Sequence, residues 1–148
     1  MGDTTQIREL FTEHVRAMHD RDSKGVLGRF APEIVRFDLA PPLRRTDADA
    51  HDVDRLENWF AGFDGPIGLE IRDLEVTAGA DVAFATSLNK LSATPLGSPV
   101  GFDLWYRATT GLRKVDGRWL ITHEHYSTPF HMEMSTDGSF RAATDLEP

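Results

Sequence analysis

The apolar positions along the chain change period once, near residue 65. Before that point they recur every three or four residues. Ile7, Phe11, His14 and Met18 fall on one stripe with Leu10 and Val15 beside it, which predicts a helix from Asp3 or Thr4 to about Asp20. Asp22, Ser23 and Gly25 break it, and a short second helix is expected over 24–30, ending before Pro32. Ile34 to Leu39 reads as a short strand stopped by Pro41-Pro42, neither of which can donate to a ladder. A third helix is expected from Thr46 or Asp47 to about Phe63. Val53, Leu56, Trp59, Phe60 and Phe63 form its apolar face, and acids crowd its positive end.

Beyond Gly65 the alternation is of period two. Gly68 to Thr77 and Val82 to Thr94 predict two strands. The stretch from Phe102 to Phe130 predicts two long arms folded at Asp116-Gly117, a strong short-range hairpin signal. The preferred loop is Val115-Asp116-Gly117 with a bulged Gly117, which pairs Lys114 with Arg118. One face then carries Tyr106, Thr110 and Leu112 beside Thr122, Glu124 and Tyr126. The other carries Trp105, Arg107 and Trp119 with His123, His125 and Ser127. A two-residue turn would shift the register by one and swap that partnership. Helices first and antiparallel strands later make an α+β arrangement, a curved sheet around the helices with a pocket between them.

Composition narrows the function classes. The 148 residues carry a net charge of −8 and no basic cluster, which argues against a nucleic-acid surface. No apolar run approaches a membrane span. Without cysteine there is no disulfide or thiol chemistry, and no nucleotide-binding loop or nucleophile elbow is present. The polar N-terminus lacks the apolar core of a signal peptide, so a cytoplasmic location is expected. Residues 1–132 are expected to form one domain, and 133–148 a loose polar tail.

The order of elements, together with D-G-R-W-x-I-x-H-E-H-x-S-x-P over 116–129 and F-D-L-A-P-P-L over 37–43, resembles the nuclear transport factor 2-like superfamily. The SnoaL-like and ketosteroid isomerase-like branch is the nearest in pattern, over roughly residues 5–131. The resemblance implies a cystatin-like fold: a cone-shaped, strongly curved, largely antiparallel sheet wrapped around three N-terminal helices. It implies a homodimer through the sheet face and a small-molecule ligand, with no cofactor. The isomerases' general-base aspartate falls on Asp38. Their oxyanion-hole tyrosine falls on His14, their protonated aspartate near Thr110, and an active-site tryptophan on Tyr126. The superfamily hosts isomerases, cyclases, dehydratases, hydrolases and non-catalytic association domains.

Each candidate has two readings. Asp38 is a base with a desolvated carboxylate, or a strand-end aspartate bonding its own backbone beside Pro41. His14 is an oxyanion donor, or a core histidine satisfied by one hydrogen bond. Tyr126 could donate to a substrate oxygen. Glu124 is a second acid–base group, or the partner of a structural arginine. Thr110 and Thr122 would share that face, and Trp59 and Phe60 would reach the ligand from the third helix or else serve the core. Arg107, His123, His125 and Ser127 are expected at a dimer interface, with pocket lining as the alternative. A metal set built on His123 and His125 lacks an obvious third ligand, and none is assigned.

Overall fold

The computed structural model describes residues 2–148. Helix α1 (Asp3–His19) buries Ile7, Phe11, His14, Ala17 and Met18, the stripe that its spacing predicts. Helix α2 (Ser23–Leu27) is shorter than expected because strand β1 (Phe30–Phe37) begins earlier. Asp22 caps α2 by accepting from the Gly25 N–H at 3.0 Å. Strand β2 is only Arg45–Thr46. The expected third helix is two pieces, α3 (Asp47–Ala50) and α4 (Val53–Phe60). The break comes at Asp52, whose carboxylate accepts from the Arg55 N–H at 3.0 Å and so starts a new helix inside the predicted one.

Four long strands follow: β3 (Phe63–Ala78), β4 (Val82–Pro95), β5 (Phe102–Val115) and β6 (Arg118–Ser127). They form one mixed sheet in the order β2-β1-β6-β5-β4-β3. β1 runs parallel to β6 and every other neighbour is antiparallel. The sheet is open, with β2 and β3 as its edges, and α1 packs on β3. The last residues are not wholly loose. β7 (Phe130–His131) pairs with β8 (Arg141–Ala142), and Ala143 is buried, its N–H donating to the Pro129 carbonyl at 2.7 Å.

The central hairpin corrects the expected register. Val115 pairs with Arg118, so the turn has two residues, with Asp116 at φ 51° and Gly117 at φ 79°. Both values suit the tight turn that matches strand twist, and aspartate tolerates that region better than most residues. The bulge lies further along: Leu112 pairs with Ile121 and Gly111 with His123, so Thr122 is the extra residue. Trp119 is therefore buried on the inner face, not grouped with the histidines, and Thr110 faces Glu124 rather than Thr122. The shift at the turn and the bulge compensate. Glu124 and Tyr126 remain on the side of Tyr106, Ala108 and Thr110.

Two apolar clusters fill the interior. One contains Ile7, Phe11, Phe30, Ile34, Leu112, Trp119 and Ile121. The other contains Ala17, Met18, Val26, Phe60, Ile67, Leu69 and Ala93. Along α1, His14 falls between the residues of the first cluster and those of the second. Along β4, Ser87 and Asn89 fall between Ala85 and Ala93 in the same way. The buried polar residues thus occupy a middle band that neither cluster fills.

Candidate functional site

A cavity of about 390 Å³ opens beside that band. Its inner end is lined by His14, Arg29, Arg36, Tyr106, Glu124 and Tyr126. Apolar walls come from Met18 and Leu27 of the helical segment, Leu56 and Trp59 of α4, and Leu91, Phe102 and Leu104 of β4 and β5. Asp38 and Leu39 also line it, just beyond the end of β1.

Glu124 is the electrostatic centre. Its side chain is 3% exposed. The Arg36 Nε–H donates to its Oε2 at 3.1 Å, and the Arg29 Nη2 lies 3.8 Å from its Oε1. Arg36 and Glu124 meet because β1 and β6 are paired in parallel with these residues opposite one another. Strand alternation places Asp38 on the same side as Arg36, and the Arg36 Nη2 reaches the Asp38 Oδ2 at 3.5 Å. Asp38 also accepts from the Leu39 N–H at 2.8 Å, and its side chain is 28% exposed. The result is a carboxylate–guanidinium–carboxylate chain from the buried end of the cavity toward its rim. Glu124 has the arginine partner that the second of its two readings named. Asp38 has the backbone contact of its second reading and also faces the cavity.

His14 and Tyr126 differ from these ion-paired groups. Among the described residues neither makes a hydrogen bond to protein, yet both line the cavity. Burial pushes the His14 imidazole well below its usual pKa, and the charges of Arg29 and Arg36 push it further. The ring is neutral at pH 7. Burial likewise holds the Tyr126 hydroxyl well above its usual value, with the Glu124 charge adding to the effect. Tyr106 is pushed up to about 12, chiefly by burial. Its ring lies 5.1 Å from that of Tyr126, and its hydroxyl accepts from Asn89 Nδ2 at 3.5 Å. Asn89 in turn accepts from the Ser87 hydroxyl at 2.8 Å. The cavity therefore presents neutral proton-exchanging groups beside fixed charges within apolar walls.

The other sequence candidates fall into three places. Trp59 lines the cavity, stacked edge-on against Phe63 at 4.9 Å, whereas Phe60 is buried in the second apolar cluster. Thr110 is buried on the inner face, and Thr122 is the bulge residue, outside the cavity lining. Arg107, His123, His125 and Ser127 lie on the opposite face. The Arg107 Nε–H donates to the Ser127 hydroxyl at 3.2 Å, and the His123 Nδ1–H to the Val35 carbonyl at 2.7 Å. Phe37 packs edge-on against both His123 and His125. His131 is far along the chain, 3.5 Å from Asp145.

Sequence reasoning missed Arg29 and Arg36. For Arg36 a signal existed: Ile34, Arg36 and Asp38 alternate on one face of a strand, so an inward Asp38 requires an inward Arg36. Arg29 sits between α2 and β1, where no periodicity reports direction.

Comparison with known proteins places this chain in a family. The SnoaL-like domain model matches residues 7–131. A nuclear transport factor 2-like protein of unknown function from Pseudomonas putida is 32% identical over 100% of this chain and 99% of its own, with a TM-score of 0.80. The chain belongs to the SnoaL-like family of the nuclear transport factor 2-like superfamily. Two more distant structures share the fold. A protein named as a candidate scytalone dehydratase, from Novosphingobium aromaticivorans, is 18% identical over 96% of this chain and 91% of its own, with a TM-score of 0.76. A ketosteroid isomerase-like protein from Erwinia carotovora is 20% identical over 83% of this chain and 93% of its own, with a TM-score of 0.67. No curated protein matches the chain. Among the described residues, no helix is long and apolar enough to cross a membrane.

Proposed function

We propose that this protein is a cofactor-independent acid–base enzyme acting on a compact, mainly apolar carbonyl or polyketide-like compound. The observation that carries the reading is the pairing within one cavity of Asp38 with two neutral, unpartnered groups, His14 and Tyr126. A carboxylate held by Arg36 and the Leu39 N–H keeps free lone pairs for a proton. In the proposed step Asp38 takes a proton from the carbon next to the substrate carbonyl. The C–H electron pair becomes the enolate double bond, and the carbonyl electrons move onto oxygen. Tyr126 and His14 donate hydrogen bonds to that oxygen, and in a site with little water such donors stabilise developing charge strongly. Returning the proton to another carbon gives isomerisation, and loss of a neighbouring hydroxyl as water gives dehydration.

The direct test is deuterium incorporation at the activated C1 position of 2-tetralone in D2O, followed by proton NMR. The native protein is expected to accelerate exchange above buffer. Asp38→Asn abolishes the acceleration, and Tyr126→Phe reduces it about 10–1,000-fold. An active Asp38→Asn protein overturns the assignment of the base. Binding of the ketone without any exchange favours the non-catalytic alternative, a ligand-binding or association module of the same fold.

Pairing of two copies through the outer sheet face completes this reading. That face carries Phe84, 52% exposed and paired with Gly111, next to the Thr109–His125 pair, with Arg107 and Trp105 further along β5. Sedimentation at micromolar concentration is expected to show a dimer, and Phe84→Glu to shift it toward monomer.

A further inference from the structure

The buried end of the cavity is not balanced in hydrogen bonds. It holds two guanidiniums, Arg29 and Arg36, around one carboxylate, Glu124. Asp38, the next acid, stands nearer the rim and pairs with Arg36 at 3.5 Å, not with Arg29. Arg29 is 5% exposed, and among the described residues its only hydrogen bond runs from Nε to the Val26 carbonyl at 3.2 Å. Its Nη2 is buried without a hydrogen-bond partner, and at 3.8 Å the Glu124 Oε1 attracts it without bonding it. A buried guanidinium normally has its planar fork matched by acceptors. His14 and Tyr126 add further donors that no protein group accepts from. The inner end therefore has more donors than acceptors, and Arg29 has no carboxylate within hydrogen-bond distance, while the rest of the wall is apolar.

We infer that the ligand of this cavity carries a carboxylate, which enters first and is held by Arg29 at the buried end while the apolar part of the molecule lies against Trp59, Phe102 and Leu104. A carboxylate supplies two acceptor oxygens in the geometry of the Arg fork and gives Arg29 the bonded counter-charge that it lacks. A neutral ketone of the same shape supplies one acceptor and no counter-charge. Burial first, and then the charges of Arg29 and Arg36, lower the proton affinity of His14 beside them. The inference rests on the cavity being the ligand site and narrows the substrate class to compact apolar acids.

The test compares two probes of matched shape, 2-naphthoate and 2-naphthylmethanol, by isothermal titration calorimetry on the native chain. Naphthoate is expected to bind about ten-fold or more tightly than the alcohol. Arg29→Met should remove that preference and leave affinity for the alcohol within about two-fold, whereas Arg29→Lys should keep part of it. Near-UV circular dichroism checks that each variant is folded. Should Arg29→Met not fold, the native comparison and Arg29→Lys still decide. Equal or tighter binding of the alcohol, no binding of naphthoate, or a preference that survives Arg29→Met would each overturn the inference. No turnover enters this test. Selective naphthoate binding with no exchange of 2-tetralone would sink the catalytic reading and keep this one. Exchange without carboxylate preference would do the reverse.

Discussion

Replacing Glu124 by Gln tests the electrostatic account of the site most sharply. The substitution keeps size and one acceptor oxygen but removes the charge that two buried arginines face, at 3.1 Å from Arg36 and 3.8 Å from Arg29. At an effective dielectric constant near 20, each such contact is worth roughly 4 kcal/mol before desolvation is counted. Removing one partner of a buried ion pair typically costs about 3–5 kcal/mol, because the other charge stays behind uncompensated. For a chain of this length that corresponds to a fall in melting temperature of roughly 6–20 °C, read by calorimetry or far-UV circular dichroism at pH 7. The second half of the experiment adds Arg29→Met to Glu124→Gln. If the cost is the orphaned charge, the double variant regains stability relative to Glu124→Gln, with a coupling of about 1–3 kcal/mol. A Glu124→Gln protein within about 1 kcal/mol of native would refute the reasoning. So would a double variant no more stable than the single one.

Three further predictions follow from separate parts of the molecule. The unfolded chain protonates His14 near its usual pKa of 6.5, whereas the folded chain keeps it neutral to well below that value. The unfolded state then binds the extra proton, so this group lowers stability as pH falls below about 6.5. Urea unfolding at pH 7.5 and 5.0 should show a smaller pH effect in His14→Gln than in the native chain, and an unchanged difference would contradict a neutral buried ring. At the hairpin tip, Gly117 at φ 79° has nothing within 4 Å of where a Cβ would stand. Gly117→Ala should therefore cost about 1–2 kcal/mol through backbone strain alone in a denaturant titration. Beside the same turn, the Asp3 carboxylate is held below its usual pKa first by the Lys114 contact and then by the Trp119 N–H. Its stabilising contribution is present above pH 3.8 and lost as pH falls through the lowered folded value, and Asp3→Asn should speed amide exchange in the first turn of α1.

What could be read from the sequence was what periodicity reports. The helix of Ile7 and Phe11 and the strands of alternating character appear where the spacing puts them, because burial acts on every second or every third to fourth residue. The turn at Asp116-Gly117 was visible, but the loop length was not. Asp116 can adopt a positive φ at a modest cost, so two-residue and three-residue loops differ by less than a local reading resolves. The two-residue turn decides that Trp119 is inside, and the bulge at Thr122, which leaves no composition signal at all, returns Glu124 to the cavity side. Asp52 looked like one of several helix acids and is instead a cap. The guanidiniums were hidden for a different reason. An arginine in a sequence reads as surface, and only the pairing of β1 with β6 shows that Arg36 and Arg29 have a buried carboxylate to face.

That parallel pairing also fixes an order of events during synthesis. Arg36 and Glu124 are 88 residues apart, and the strand that carries Glu124 inserts between β1 and β5. At the usual pace of translation, the nascent chain displays Arg29 and Arg36 for roughly 5–20 s before Glu124 has been made. In that interval neither arginine can be buried without a large penalty, so β1 has to wait in solvent, unzipped from its only long neighbour. The docking of β6 then joins β1 to the long strands, brings Glu124 to both arginines and completes the cavity in one step. A ribosome-bound chain that stops short of β6 would accordingly expose both arginines and be receptive to chaperones.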